Sequence, residues 1–197
     1  MTFESRYERL FPKIVGVYTF DDHKKYEKDL VSRCHSIQEK VAKGGPDWIL
    51  QSVYNTENTY DLNKDEKFDI ITDFIRSCAV DYCKELSYSG TLNHTNTFFN
   101  IYNKYDYQDW HEHNGTHLSG IYCLSGEKGS ANIHFTDFNN KLNINVKEFT
   151  TDNSVVWHED FEPGKLLIFR SDLIHCVNRH ELDSKRYSLA TNFIIQS

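Results

Sequence analysis

Two histidines flank a glutamate in the string Asp109-Trp110-His111-Glu112-His113-Asn114-Gly115. In a strand, side chains two apart share a face, so both imidazoles can converge on one point while Glu112 points away. A third histidine, His175, lies far downstream in the apolar run Ser171-Asp172-Leu173-Ile174-His175-Cys176-Val177. Neutral imidazole suits iron, zinc, copper and nickel, and two ligands from one strand with one from another leave coordination positions open for substrate or water. Taken singly, an HxH string also fits an exposed polar stretch, and His175 fits an ordinary half-buried histidine. Of the others, His117 and His134 can reach the same interior. His23, His35, His94 and His180 have no partner at ligand spacing and read as solvated.

A second chemical pattern is Arg186-Tyr187-Ser188. Arg and Ser two apart share a strand face, where a guanidinium beside a hydroxyl can hold one carboxylate through charge-assisted hydrogen bonds. A small dicarboxylate would then be pinned at one end by Arg186 and Ser188 and would chelate a metal with the other. The aromatic residues Tyr102, Tyr105, Tyr107, Trp110, Tyr122 and Phe135 crowd the same stretch. They read either as core or as a lining that excludes water from a reactive centre.

The elements that must position these groups change character near Gly90. Before it, Tyr26, Leu30, Cys34, Ile37 and Val41 recur at helical spacing within Asp22 to Lys43, stopped by Gly44 and Gly45. Phe68, Ile71, Ile75, Cys78, Tyr82 and Leu86 do the same within Lys64 to Leu86. After Gly90 the period falls to two, in short runs rich in Ile, Val, Phe and Tyr: Thr97 to Tyr102, Leu118 to Leu124, Ala131 to Phe135, Ser154 to Trp157, Lys165 to Phe169, Ile174 to Val177 and Tyr187 to Ile195. Lys13 to Tyr18 and Trp48 to Val53 are further strand candidates. The expected fold is mainly β: a jelly-roll core over residues 91–197 with two supporting N-terminal helices in the mostly helical residues 1–90, together one domain. Tyr54 to Asn63 and Asn139 to Asn153 read as loops over the mouth of that core.

Composition narrows the function classes. The 197 residues carry a net charge of −7, so no overall positive field holds a nucleic-acid backbone, and nucleic acid is an unexpected partner. No window reaches the roughly 18 apolar residues of a membrane span. The first twenty residues lack a basic segment followed by an apolar one, which points to a cytoplasmic protein. Five cysteines, an odd number with no CxxC pair, argue against a disulfide framework or a thiolate zinc site.

At these residues the chain resembles the iron(II)- and 2-oxoglutarate-dependent dioxygenases, whose motif is HxD, H and R in order on a double-stranded β-helix, a cupin-like jelly roll. More narrowly, it is similar to a bacterial and tailed-phage family of such oxygenases that carries histidine in place of the aspartate. The family pattern HxHxxxxLSGxYY matches His111 through Cys123, with Cys123 replacing the second aromatic residue. PGxLxxFxSxxxHxV matches Pro163 through Val177, and RxSxxxN matches Arg186, Ser188 and Asn192. Weaker agreement extends to Leu10-Phe11-Pro12 and to Trp48 through Ser52.

The resemblance implies iron bound by His111 and His175, with His113 at the place of the usual carboxylate. It also implies 2-oxoglutarate chelating that iron with its far carboxylate on Arg186 and Ser188, and Tyr102 as a further partner of the cosubstrate. Dioxygen and an organic substrate, with a protein side chain such as proline as one candidate, would complete the reaction, releasing succinate and carbon dioxide. A neutral histidine for an anionic aspartate leaves the metal site one charge more positive, tightening its hold on a dianion. Hydroxylation is therefore not the only outcome open: without His113 as a ligand the free position is of the kind halide takes in related halogenases, and Asp109 or Asp137 could supply a carboxylate instead. Two other readings stand beside this one. They are a three-histidine cupin-type metalloenzyme that needs no keto acid, and a non-catalytic jelly-roll binding module.

Overall fold

The computed structural model describes residues 4–6, 12–45, 52–137 and 145–196. Two antiparallel sheets face each other. The larger has the order β1 (Val15–Thr19), β8 (Lys165–Arg170), β5 (Leu118–Ser125), β10 (Arg186–Gln196), β3 (Thr91–Tyr102), β2 (Tyr54–Asn55). The smaller runs β4 (Gln108–His111), β9 (Ile174–Val177), β6 (Ile133–Thr136), β7 (Val156–Glu159). From β3 to β10 the chain passes back and forth between the sheets, with only the β6–β7 hairpin staying in the smaller one, as in a double-stranded β-helix, and the expected jelly roll is what forms.

The helices α1 (His23–Gln38) and α2 (Asp69–Glu85) cover the outer face of the larger sheet. Each presents the stripe that its periodicity predicts. Leu30, Cys34 and Ile37 from α1 and Ile71, Ile75, Cys78 and Tyr82 from α2 pack on Phe99, Ile101, Tyr122, Leu166, Ile168 and Leu189 of the sheet. Side-chain parity then fixes what faces inward. On β8, Leu166 and Ile168 meet the helices while Leu167 and Phe169 join Ile133, Phe135 and Phe161 between the sheets. On β10, Tyr187, Leu189 and Phe193 point to the helices, so Arg186, Ser188, Ala190 and Asn192 point the other way. That parity, rather than local chemistry, gives the interior its polar wall.

Several expectations shift in detail. The first helix ends at Gln38, and residues 62–68 form two short 3-10 turns ahead of α2. The strand expected at Trp48 to Val53 falls largely on residues outside those described, as does Leu10-Phe11; the strand that pairs with β3 is Tyr54–Asn55. Strand β4 is assumed by the HxH reading but is not among the apolar runs read from the sequence. Gln108-Asp109-Trp110-His111 has no apolar alternation, and its register with β9 is irregular, so only tertiary pairing makes it a strand. Among the described residues no helix is long and apolar enough to cross a membrane.

Two glycines of the motif-bearing segments have steric reasons. Gly164 adopts φ 92° in the turn closed by the Lys165 N–H to Glu162 carbonyl bond of 3.0 Å, with Pro163 before it. Gly120 lies mid-strand on β5, where a Cβ would stand 2.7 Å from Ile168 Cδ1 and 2.8 Å from Thr191 Cγ2. Gly120→Ala should therefore cost about 1–3 kcal/mol through overpacking, read as a lower urea midpoint. An unchanged midpoint would contradict the tight approach of β8 and β10 across β5.

Candidate metal centre

His111 and His175 are directly opposed partners in the β4–β9 register, and Phe135 of β6 stands on the other side of His175. His113 lies just past the end of β4, its backbone N–H bonded to the Ser171 carbonyl at 3.0 Å. The strand itself ends at His111, so His113 comes from the segment that follows it, held by that backbone bond. One nitrogen from each of His111, His113 and His175 falls within 4.8 Å of the others, a spacing that fits one metal ion. Neither Asp109 nor Asp137 belongs to that group.

The hydrogen bonds decide the tautomers. His111 Nδ1 lies 2.7 Å from the Asp109 carbonyl and His175 Nδ1 lies 2.9 Å from the Leu173 carbonyl. A carbonyl only accepts, so each Nδ1 carries the proton and each Nε2 keeps its lone pair. His113 Nδ1 stands 2.6 Å from Asn192 Oδ1, which imposes the same tautomer, and 3.1 Å from Ser119 Oγ. Three Nε2 lone pairs are thereby prepared, as imidazole metal ligands require. Burial also keeps the His111 and His175 rings neutral. It pushes His111 down to about 4 and His175, only 1 % exposed, well below its ordinary value, with the neighbouring imidazoles acting in the same direction.

Next to this cluster opens a cavity of about 790 Å³ lined by His111, His113, His175, Tyr102, Ser188 and Asn192 among others. Against Tyr102 and Ser188 lies Arg186, fully buried at 0 % exposure. Its guanidinium lies 4.8 Å from the Tyr102 ring and 4.5 Å from that of Phe161, and it donates to Ser188 Oγ and the Ala131 carbonyl at 3.0 Å each. Its remaining nitrogen, Nη2, is buried without a partner, and among the described residues no carboxylate pairs with Arg186. Cys123 beside it is no counter-ion, because burial pushes that thiol up to about 11. Burial lowers the Arg186 pKa, yet a guanidinium stays charged in any protein environment. A buried, unpaired cation is costly and calls for an anion.

Sequence reasoning missed two supports. Asn192 was visible only as the last letter of a motif. His180, expected to be solvated, is fully buried: its Nδ1 accepts from the Ala131 N–H at 3.3 Å and its Nε2 donates to the Ser184 carbonyl at 2.6 Å, so it braces the peptide that receives Arg186. His23 and His94 are likewise not solvated. His23 Nδ1 meets the Tyr122 hydroxyl at 2.7 Å, and His94 bonds Thr97 and Thr191 while stacking on Phe193. His117 points outward, accepting from the Ile195 N–H, and His134 stacks on His158, so neither joins the cluster. Of the aromatic residues, Tyr102 and Trp110 line the cavity and Phe135 flanks His175, whereas Tyr105 is exposed and Tyr122 belongs to the helix-facing core.

The neutral histidines carry a pH signature. Unfolded imidazoles titrate near 6.5, whereas His94 and His111 do so at about 4 in the fold. Between these values the unfolded chain binds protons that the folded chain refuses, so stability falls as pH drops through the window, by up to about 1.4 kcal/mol per pH unit and histidine. Urea unfolding of metal-free protein should show lower stability at pH 5 than at pH 7; equal stability would contradict the buried neutral rings.

Residues 96–192, which include all three histidines, Arg186, Ser188 and Asn192, match the model of a family described as "Putative 2OG-Fe(II) oxygenase". No curated protein matches the chain by sequence. Among solved structures, a Pseudomonas putida prolyl-4-hydroxylase is similar over 94 % of this chain and 94 % of its own at 12 % identity, with a TM-score of 0.65. A Trichoplax adhaerens prolyl hydroxylase solved with a hypoxia-inducible-factor peptide is similar over 92 % and 83 % at 13 % identity, TM-score 0.64. The epimerase SnoN, solved with Fe3+, alpha-ketoglutarate and nogalamycin RO, is similar over 93 % and 79 % at 9 % identity, TM-score 0.62. Residues 96–192 thus match the model of the iron(II)- and 2-oxoglutarate-dependent oxygenases, and the jelly roll shared with these solved structures is the fold on which that match lies.

Proposed function

We propose that His111, His113 and His175 hold iron(II) through their Nε2 atoms and that Arg186, Ser188 and Tyr102 hold the far carboxylate of 2-oxoglutarate. The residues present fit both groups. Three imidazoles that each direct Nδ1–H to an oxygen are a donor set for iron, and the unpartnered Nη2 of buried Arg186 lacks only an anion. When bound, iron and 2-oxoglutarate supply the oxidation: the keto acid and dioxygen give succinate and carbon dioxide, and the second oxygen atom enters a substrate C–H bond.

The chain's own part is to orient and to shield. Backbone carbonyls and Asn192 keep the Nδ1 protons in place, so the rings do not rotate away from the shared point. With no ligating carboxylate the iron keeps its full double charge, which strengthens its attraction for the dianionic keto acid. Arg186 meets the far end of that acid in a site sealed by Tyr102 and Phe161, where charge-assisted bonds weaken least. The cavity beyond is lined by Trp110 and by the carboxamides of Asn58, Asn96, Asn100, Gln108 and Asn114. Carboxamides both donate and accept, which suits a peptide backbone, and a protein side chain such as proline is the substrate class this reading takes. The peptide-bound prolyl hydroxylase of similar fold supports that choice.

The single observation that carries the proposal is the unpaired, fully buried Arg186. A three-histidine site with no keto acid, or a binding module without chemistry, gives such a cation nothing to do. Anaerobic titration with iron(II) and 2-oxoglutarate should produce the weak visible charge-transfer band of the chelate. In Arg186→Met the loss of a buried charge pair, about 2 kcal/mol or more, should raise the 2-oxoglutarate dissociation constant at least ~30-fold and leave iron binding unchanged. Unaltered keto-acid affinity in that variant would favour the cupin-type site.

A further inference from the structure

The three histidines are not held alike. His111 and His175 sit on paired strands, and each Nδ1–H reaches the backbone carbonyl two residues back in sequence, Asp109 on β4 and Leu173 just before β9. His113 has left the strand, and the contacts that orient its ring come from other elements: Asn192 Oδ1 on β10 at 2.6 Å and Ser119 Oγ on β5 at 3.1 Å. Asn192 is itself fixed. It is 8 % exposed, its Nδ2 donates to Asn96 Oδ1 at 3.1 Å, and Ser119 Oγ lies 3.0 Å from the same Oδ1 that serves His113. Ser119 Oγ in turn meets Ser171 Oγ at 2.8 Å, and Ser171 supplies the carbonyl that holds the His113 backbone.

The chemistry of this arrangement is directional. A carboxamide oxygen can only accept, so its contact requires the proton on Nδ1 of His113 and leaves Nε2 as the donor atom. Turning the ring would break the 2.6 Å bond. The acceptor is neutral, so the bond orients the imidazole without returning the negative charge that the ligand set lacks. We propose that Asn192, buttressed by Ser119, is the positioning residue that makes His113 a metal ligand, which rests on the reading of the three histidines as the iron site.

The test is a coupling measurement on the full chain: anaerobic dissociation constants for Co(II), with its visible ligand-field spectrum, for the wild type, Asn192→Leu, His113→Ala and the double variant. Asn192→Leu should weaken Co(II) binding 10- to 100-fold and alter the spectrum, while adding nothing in the His113→Ala background. Asn192→Asp, which keeps an acceptor oxygen, should bind within about threefold of the wild type or more tightly, and it serves as the measure if the leucine variant does not fold. If His113→Ala leaves affinity unchanged, the three-histidine site itself fails. If His113→Ala weakens binding but Asn192→Leu does not, or if Asn192→Leu weakens it equally in both backgrounds, His113 is a ligand and the role given to Asn192 is overturned. Loss of affinity in Asn192→Asp comparable to that of Asn192→Leu would overturn it too.

Discussion

Three N–H to oxygen bonds set everything else in this molecule's chemistry. An imidazole can present either nitrogen, and a ring free to turn is a poor ligand. Here the Asp109 carbonyl, the Leu173 carbonyl and the Asn192 carboxamide each claim an Nδ1 proton, which leaves each Nε2 its lone pair, and one nitrogen of each ring lies within 4.8 Å of the others. Burial adds its part by making protonation of His111 and His175 expensive, so these two rings do not repel each other as imidazolium ions near neutral pH. The fold exists, in functional terms, to bring those three acceptors into register. Strand β4 and the residue just before β9 supply two of them, and the inner face of β10 supplies the third.

The same β10 face carries the second electrostatic feature, at its other end. Arg186, Ser188, Ala190 and Asn192 run inward in alternation, so one strand both steadies a histidine and presents a guanidinium. Placing a cation with no partner in the dry space between two sheets is a stability cost that an apolar residue would avoid. Tyr102, Phe161 and the His180-braced peptide at Ala131 hold it there through ring contacts and neutral acceptors only. That architecture keeps the charge available for an incoming anion.

Much of this was legible in the residues themselves, for a physical reason. Helical stripes at steps of three and four and strand runs at period two reflect burial on one face, and both helices and most strands formed where those patterns stood. The convergence of His111, His113 and His175 and the burial of Arg186 beside Ser188 also followed from the motifs. What was hidden depended on tertiary pairing. Strand β4 has no pattern of its own and exists because β9 is there to pair with it. The sequence reads His113 on the same strand as His111, whereas β4 ends at His111 and His113 follows it, its backbone bonded to the Ser171 carbonyl. His23, His94 and His180 looked solvated because polarity alone says nothing of a waiting hydroxyl or carbonyl, and each is matched by one that only the fold brings near. Asn192 stood in a motif without a task until β10 and the segment after β4 were seen together.

The account turns on how many imidazoles reach the metal. X-ray absorption at the iron edge of anaerobically loaded protein counts them through their characteristic outer-shell scattering. The structure predicts three histidine nitrogens and no carboxylate from the chain. Two histidines with an added protein carboxylate would contradict it, since the prepared Nε2 of His113 would then serve no metal.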